Sequence, residues 1–364
     1  MVVGTPATTV PEVEPDVTVP PRRREGVLSP TASYILRRLG LYVITLWGSL
    51  TASFFFFRML PGDPISGIIS QLQTRGQYSS LDNSEDMVQY YRAEFGLDGS
   101  LAEQYVSYYR NVVTQLDFGP SVLSYPSPAT DLILRALPWT LALIGVATLL
   151  GWGIGVILGT LIAWKRTSRW AEWVTNGALA LSHIPAYFMA LFLLIFLSYR
   201  FGLMPSRGAY SAGLDPSWSL DFFLSVIKYG TLPVLATVIV AVANWMISTR
   251  ALVVSILGED FLTFANAKGI TPRHVLTRYV LRNAWLPQIA ALGLALGSVV
   301  SGNILIERLF VYPGLGNLLV DAVIIKDVNT AMATVTLLIF MVLTINLIID
   351  LCLPLIDPRV KYTS

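Results

Sequence analysis

Few residues in this sequence have the types and spacing that catalysis or metal binding requires. The two histidines, His183 and His274, lie far apart, and the single cysteine, Cys352, cannot form an internal disulfide. The sequence has no GxxxxGK[ST] loop for nucleotide phosphates, no GxSxG nucleophile motif and no HExxH metal motif. We therefore predict no catalytic site, no metal site and no cofactor bound by this chain.

Residues 259–287 carry the pattern most suggestive of function. Gly269 stands where a helix end favours a left-handed residue, Thr271 can cap a following helix, and Pro272 suits its first position. The pattern predicts two helices joined by a turn. Such a segment suits docking to a partner protein, but its basic residues would equally suit an amphipathic loop on a membrane surface.

The composition places these residues in a membrane protein. Of 364 residues, 54% are hydrophobic and only 13% are charged, with a mean hydropathy of +0.61, whereas soluble domains carry about a quarter charged residues. The net charge of +2 gives no electrostatic footprint for nucleic acid. A soluble fold is therefore nearly excluded, and no nucleic-acid partner is implied.

Six windows without Asp, Glu, Lys or Arg are long enough to cross a bilayer, which takes about 20 apolar residues in a helix. They are residues 39–57, 136–164, 173–199, 229–249, 283–306 and 328–349. The sequence thus predicts an all-α polytopic membrane protein with six transmembrane helices. An even number of spans puts both termini on the same side of the membrane.

Basic residues in the loops predict which side that is, because cytoplasmic loops carry more lysine and arginine. Residues 165–172 contain three basic side chains and residues 250–282 contain five, whereas residues 200–228 and 307–327 are sparser in them. We therefore predict that both termini are cytoplasmic. Residues 1–33, rich in Pro, Val and Thr, are predicted to form a disordered cytoplasmic tail, and the span in 34–57 to remain as a signal anchor.

Residues 58–135, between the first two spans, are polar and aromatic, and we predict that they form a small extracytoplasmic helical insert. Asn83 or Ser84 can cap one helix, and Ser100 with Glu103 makes a capping box for a second. Their aromatic stripes favour packing against each other and the span ends, with docking of an external partner as the alternative.

Several motifs resemble those of a known family. Ala267, Lys268 and Gly269, followed by Arg282, Asn283 and Pro287, are similar to the coupling motif of bacterial ABC importer permeases. Seven further segments, in order, resemble the permeases of dipeptide, oligopeptide and nickel importers: Leu60-Pro61-Gly62-Asp63-Pro64, Phe95-Gly96-Leu97-Asp98, Asp117-Phe118-Gly119, Leu137-Pro138 with Thr140, Glu307 with Phe310, Pro313-Gly314-Leu315-Gly316, and Asp357-Pro358-Arg359. The resemblance covers residues 34–360.

This resemblance implies a type I ABC importer permease fold. The five-helix core would span residues 136–357, with a cytoplasmic coupling loop at 250–287 that fits a groove on a separate ATP-hydrolysing subunit, and residues 358–364 would be a cytoplasmic tail. The coupling residues would be Glu259, Asp260, Ala265, Ala267, Lys268, Gly269, Arg282, Asn283 and Pro287. The chain departs from the family in that its acidic pair lies further upstream and Asn266 separates the two alanines.

The resemblance also implies the partners and the location. They are a second, homologous permease subunit, two ATP-binding subunits that hold ATP and Mg, an extracytoplasmic solute-binding protein and the lipid of the bacterial cytoplasmic membrane. The chain would form the translocation pathway and would not be an enzyme. Oligopeptides or dipeptides are the expected cargo, with oligosaccharides or nickel chelates as alternatives.

Residues near the outer end of the fifth span are candidates for a gate or for contact with the binding protein. Asn303 and Glu307 are four residues apart and share a helical face. Pro313 fixes a turn, and Gly314 and Gly316 allow unusual backbone angles. With Phe310, these six residues form the predicted outer site; a plain connecting turn is the alternative.

Small and polar residues inside the spans bear on helix packing and on the rival functions. Gly155 and Gly159 form a GxxxG pair that favours packing within the subunit over a subunit interface. Asp350 would be the coupling-ion site if the chain were instead an ion-driven secondary transporter. After the importer permease and the secondary transporter, a third possible function is a purely structural membrane anchor, although an anchor would not need the loop and turn motifs.

Overall fold

The structure, a computed structural model, describes residues 30–59, 84–299 and 304–356. Within these ranges the chain is helical, and in place of strands it has one isolated bridge between Pro120 and Pro128. Several predictions lie outside the described residues. They concern most of the 1–33 tail, the motifs at 60–64 and 357–359, the helix cap at Asn83, the candidate Asn303 and the tail at 358–364.

The described residues form a series of helices along the chain. They are α1 (Pro30–Arg58), α2 (Ser84–Glu94), α3 (Leu101–Gln115), α4 (Ala129–Trp164), α5 (Arg169–Ser182), α6 (Ala186–Leu193), α7 (Leu220–Ile256), α8 (Asp260–Ala267), α9 (Pro272–His274), α10 (Leu281–Val299), α11 (Ile304–Leu309), α12 (Leu315–Ile324) and α13 (Val328–Ile356). Two π-helical segments continue their neighbours without a break: Leu194–Arg200 follows α6, and Val275–Val280 joins α9 to α10.

Four helices, α1, α4, α7 and α13, are long and apolar enough to cross a membrane. They contain the predicted spans at 39–57, 136–164, 229–249 and 328–349. The pair α5 and α6, with its π-helical extension, passes the same test but bends by 98°. The described residues therefore give four or five crossing helices. The fifth predicted span falls on α10 and α11, which are separated by residues outside the description, so the count of six stays a prediction.

The bend between α5 and α6 has a local cause. Pro185 has no backbone N–H to donate, and it disfavours helical geometry at Ile184. The C-cap residue His183 donates its backbone N–H to Leu181, which frees the carbonyl of Leu179. His183 Nδ1 lies 2.7 Å from that oxygen. The Ser182 hydroxyl also donates to it, at 2.9 Å, so two side chains at the break satisfy the carbonyl that it leaves open.

The pair α4 and α7 forms the centre of the fold. Three glycines at four-residue spacing on α4 face α7: a Cβ on Gly151 would lie 2.5 Å from Ala241 Cβ, one on Gly155 2.5 Å from Trp245 Cβ, and one on Gly159 2.5 Å from Met246 O. Because residue numbers increase in the same direction along both helices at these contacts, the two helices run parallel. The prediction that the GxxxG pair packs inside the subunit is confirmed.

Helix α1 runs antiparallel to α13 and is tied to it by polar contacts. Tyr42 Oη lies 2.9 Å from Thr344 Oγ1, and Arg38 forms a 2.7 Å ion pair with Asp350. Tyr34 also donates to the backbone oxygen of Asp350. Asp350 therefore has a cationic partner within the chain, which favours a structural role over an ion-transport role.

The two helices predicted between the first spans are present as α2 and α3. The capping box is confirmed: Ser100 N–H donates to Glu103 Oε2 at 2.7 Å, and Glu103 N–H donates to Ser100 Oγ. These hydrogen bonds, from the backbone and the hydroxyl of Ser100, hold the pKa of Glu103 below its usual value. Tyr105 reaches Thr51 at 2.9 Å and stacks on Phe55, so α3 packs on the end of α1.

The close approach of α4 and α7 predicts a clear effect of one methyl group. Gly159→Ala should lower the free energy of unfolding by about 1–3 kcal/mol, because the new Cβ meets a backbone oxygen of α7 that cannot move alone. Gly153→Ala on the same helix is the matched control, since nothing lies within 4 Å of its Cβ position. Thermal unfolding in detergent compares the two variants, and equal unfolding midpoints would contradict the close contact of Gly159 with α7.

Candidate functional site

Helix α8 owes its short length to the residues at its end. Gly269 has φ +75°, the left-handed conformation predicted for it. Its N–H donates to Asn266 O at 2.9 Å, and the N–H of Ile270 donates to Ala265 O at 3.2 Å. This pair of bonds is a Schellman motif, which satisfies the last carbonyls of the helix. The chain therefore turns sharply after α8 and returns towards α10.

The next turn is built largely as the sequence predicts. Pro272 occupies the first position of α9, and Thr271 is extended at the position before it. The predicted side-chain cap is wrong, however, because the Thr271 hydroxyl makes no capping hydrogen bond. The N–H groups of His274 and Val275 donate to the Thr271 backbone carbonyl instead, so main-chain bonds close the turn.

The inner face of α8 is buried against the ends of the central helices. One apolar cluster contains Leu262 and Ala265 of α8, Val253 and Ile256 of α7, Ala163 of α4, and Val275, Val280 and Ala284 beyond the turn. Since the interior of a protein is close-packed, a displacement of α8 must move its neighbours. The cluster therefore links α8 mechanically to both α4 and α7.

The outer face of α8 presents an aromatic surface that the sequence analysis missed. Phe264 is 70% exposed and Phe261 is 37% exposed. The signal was available, since these two residues have the same three-residue spacing as the buried Leu262 and Ala265 but lie one position earlier. Asp260 and Lys268 are exposed one turn to either side of Phe264. An apolar centre with a charged rim is typical of a protein contact.

The predicted coupling residues lie on two elements. Glu259, Asp260, Ala267, Lys268 and Gly269 are exposed on or beside α8, whereas Ala265 is buried. The other three, Arg282, Asn283 and Pro287, are exposed on α10 beyond the π-helical segment, where the Asn283 side chain donates to Tyr279 O at 2.8 Å. The structure thus places most of the predicted set on accessible surface.

At the opposite end of α4, Glu307 organises the predicted outer turn. It is only 1% exposed. One carboxylate oxygen accepts from Thr140 Oγ1 at 2.8 Å, and the other accepts from the N–H groups of Gly316 and Asn317 at 2.7 and 3.2 Å. Thr140 Oγ1 in turn accepts from Leu315 N–H at 2.7 Å. Glu307 and Thr140 together satisfy the first N–H groups of α12, where the helix dipole favours negative charge.

The glycines of this turn are needed for space rather than for unusual angles. Gly314 has φ −93°, which any residue can adopt, and Gly316 lies within α12, so the expectation of unusual backbone angles is wrong for both. A Cβ on Gly314 would overlap the Glu307 carboxylate, and one on Gly316 would lie 2.7 Å from the Cα of Ile304. Both glycines let the backbone approach its neighbours closely.

The outer candidates divide into interior and surface residues. Glu307, Phe310, Gly314 and Gly316 are buried, and Phe310 packs against α7 and α6. Pro313 is exposed. The surface of this turn also includes Leu305 and Val311, which are 61% and 53% exposed. The predicted candidates therefore shape the turn from within, and Pro313 is the described member of the set that reaches the surface.

A second buried carboxylate, which the sequence analysis did not identify, lies nearby. Asp327 is fully buried at the start of α13. It accepts from Thr330 N–H and Thr330 Oγ1 at 3.0 and 2.7 Å, from Ser121 Oγ at 2.6 Å and from Leu123 N–H at 3.1 Å. It caps α13 and holds the segment before α4 against it. An aspartate directly before a long apolar run was the available signal.

The hydrogen bonds of Glu307 predict graded effects of two substitutions. Glu307→Ala should lower the midpoint of thermal unfolding strongly, because each buried donor left without an acceptor costs about 1–3 kcal/mol. Glu307→Gln should be milder, since it keeps one carbonyl oxygen. Asp215→Ala, at an exposed acidic residue, is the control. If alanine were tolerated as well as glutamine, the capping role would be wrong.

Comparison with known proteins finds membrane components of transport systems that match most of the chain. The family described as "Binding-protein-dependent transport system inner membrane component" matches residues 155–362. Over 331 residues, the chain is 30% identical to the oligopeptide transport system permease protein AppB of Bacillus subtilis, covering 91% of this chain and all of the relative. It is 32% identical over 347 residues to the dipeptide transport system permease protein DppB of Escherichia coli K12, covering 90% and 98%.

A third relative is named for a different cargo. The chain is 31% identical over 335 residues to the glutathione transport system permease protein GsiC of Shigella flexneri, covering 91% of this chain and 99% of the relative. Among solved structures, an inward-facing form of the MetNI methionine ABC transporter matches with a TM-score of 0.52 and 17% identity. That match covers 64% of this chain and 99% of the other, and it supports the fold of the core.

Proposed function

This chain belongs to the family of binding-protein-dependent transport system inner membrane components, and from that premise we propose that it is one of two homologous permease subunits of a peptide importer. The predicted membership in the ABC importer permeases is confirmed, and the chain is a multi-pass membrane protein. The finer assignments, which are the cargo, the partners, the orientation and the residues that act, form the rest of the proposal.

The observation that carries the proposal is the two-sided character of α8. Its outer face exposes Phe264 and Phe261, and its inner face packs on the ends of α4 and α7. An ATP-binding subunit that grips the outer face would therefore move both central helices together. We assign the coupling role to this surface, with Phe264 as its anchor and the residues predicted from the sequence around it.

ATP and Mg would be held by the two ATP-binding subunits, since the sequence has no phosphate loop of its own. Closure of those subunits can change the conformation of the permease only if it favours one arrangement of the helices over the other. The α8 cluster provides the connection through which that preference acts. ATP-driven closure would press on α8, and the spans would rock between inward-facing and outward-facing arrangements.

Because α4 and α7 run parallel, both helices end on the same side of the membrane, beside α8. We propose that this side is cytoplasmic, because the basic residues of 165–172 and 250–282 lie there. The opposite end, with α2, α3 and the turn before α12, would then be extracytoplasmic. There the solute-binding protein would meet the exposed Leu305, Val311 and Pro313, while Glu307 and Phe310 would preserve the shape of the turn.

Peptides are the proposed cargo because the relatives covering about 90% of this chain carry peptide, dipeptide and glutathione names. Oligosaccharides and nickel chelates are the alternative cargoes on the same architecture. Within the described ranges, no cluster of three or more His, Cys, Asp or Glu side chains could hold a metal ion. Nickel would therefore have to travel as a chelate.

The coupling role predicts a selective loss of transport. Phe264→Ser should lower ATP-dependent uptake in vesicles by about tenfold or more, because a central aromatic at an interface contributes roughly 2 kcal/mol or more. The protein should still insert in the membrane, since the side chain is 70% exposed. Uptake is measured with ion gradients collapsed, so that an ion-driven mechanism would give no signal.

Phe201→Ser is the matched control, because Phe201 is similarly exposed but lies between α6 and α7, at the other end of the molecule. It should leave uptake unchanged. Co-purification of the ATP-binding subunits with each variant tests the cause. Normal uptake and normal co-purification of Phe264→Ser would exclude α8 as the coupling surface.

The cargo proposal predicts the specificity of the solute-binding protein that serves this importer. Calorimetry should show binding of short peptides and no binding of nickel chelates or cello-oligosaccharides, since selectivity in such importers rests largely with that protein. Binding of a sugar or a chelate in place of peptides would replace the cargo and leave the coupling mechanism unaffected.

A further inference from the structure

A cavity of about 630 Å³ lies at the end of α4 that is remote from α8. It is bounded by the start of α4, by the segment before it, by the loop that precedes α7, and by the turn into α12. The 36 residues of α4 span about 54 Å. The cavity is therefore well separated from the coupling surface, and in the proposed orientation it opens to the extracytoplasmic side.

Two opposite charges line this cavity without partners in the described parts of the chain. Asp131 and Arg135 are exposed and lie one turn apart on α4, yet neither side chain forms an ion pair or a hydrogen bond there. By contrast, the third charged residue of the wall, Asp321, is paired with Arg308 at 2.5 Å. The cavity thus offers one cation and one carboxylate, four residues apart on the same helix.

An aromatic surface lies next to these charges. Trp139, one turn beyond Arg135, stacks on Tyr210 with ring centres 5.6 Å apart. Tyr312 meets the edge of the Trp139 ring at 5.9 Å and holds it in place. Apolar side chains pack well on rigid aromatic rings, and aromatic pairs prefer these geometries. The wall therefore combines an apolar platform with two charged groups.

The size of the cavity favours a small ligand. Ligand pockets typically enclose about 300–1,000 Å³ and combine apolar walls with a few placed polar groups. A stable protein contact instead buries about 1,200–2,000 Å² over a broad surface. A concave site of this volume, with two opposite charges and an aromatic wall, matches a molecule of a few residues better than the face of a protein.

We propose that this cavity is an outer reception site for short peptides, which they occupy between the binding protein and the pathway. The inference rests on the proposed peptide cargo. The terminal carboxylate of the peptide would pair with the guanidinium of Arg135, whose planar fork suits a carboxylate. The terminal ammonium would lie against Asp131, and a side chain would pack on Trp139 and Tyr210.

The test compares peptides that differ only at one end. The complete importer, with its partner permease, ATP-binding subunits and binding protein, is reconstituted in vesicles, and the KM for uptake is measured for a tripeptide and for its C-terminal amide. Because the binding protein is the same throughout, a change in the amide-to-acid KM ratio between variants reports on the permease. Arg135→Gln should reduce this ratio by about tenfold, the effect of one charge-assisted hydrogen bond.

Arg110→Gln is the matched control, since Arg110 is exposed on α3 and does not line the cavity. Its ratio should equal that of the wild type. Asp131→Asn tests the other charge independently. It should reduce the ratio of the KM for an N-acetylated peptide to the KM for the free peptide by about tenfold, and leave the amide-to-acid ratio unchanged.

Each other outcome overturns the site in a recognisable way. An unchanged ratio in Arg135→Gln excludes the carboxylate contact. If that variant instead raises the concentration of binding protein needed for half-maximal ATP hydrolysis, the cavity is a protein-docking surface. If the wild-type importer takes up neither peptide, both the proposed cargo and the reception site are wrong. If it takes up the peptides but Arg135→Gln leaves the amide-to-acid KM ratio unchanged, only the reception site is wrong.

Discussion

The close packing of α4 against α7 is the constraint on which the rest of this structure depends. Three glycines on one face of α4 let the two backbones meet, and the two helices run parallel through this contact. Parallel packing places the ends of both helices together. One end forms the cluster that supports α8, and the starts of the two helices lie beside the outer turn and the cavity. A transporter needs such an arrangement, because a force at one end must reach the other through elements that do not deform.

Buried carboxylates complete the same arrangement at the outer end. Glu307 and Asp327 would be costly to bury alone, but each accepts three or more hydrogen bonds that include N–H groups at a helix start. Glu307 joins α12 to α4 through Thr140, and Asp327 joins α13 to the segment before α4. Helix α4 is therefore attached to the outer turn at one end and to the α8 cluster at the other. A movement of α4 would change both ends together.

Each of the two turns has buried residues that hold its shape and exposed residues that form its surface. Residues that hold the turns in shape, such as Ala265 and Phe310, are buried, and the residues beside them that reach the surface are apolar or charged. Sequence patterns identify a turn more readily than its exposed side, because glycine and proline act through the backbone, whereas exposure depends on what packs behind each side chain. The family motifs therefore point to the segments 259–287 and 303–316, and the structure adds which residues of those segments are exposed, among them Phe264 and Val311.

The sequence by itself determined the membrane class, four of the long apolar helices, the left-handed Gly269, the capping box of α3 and the family, because each depends on local composition or on spacing along one element. Only the tertiary structure decided that the GxxxG face of α4 meets α7, and that Thr140 and Glu307, 167 residues apart, together cap α12. It also decided which charges lack partners, since Asp350 pairs with Arg38 while Asp131 and Arg135 line a cavity. These features arise between residues far apart in the chain, and periodicity within one element carries no information about its neighbours.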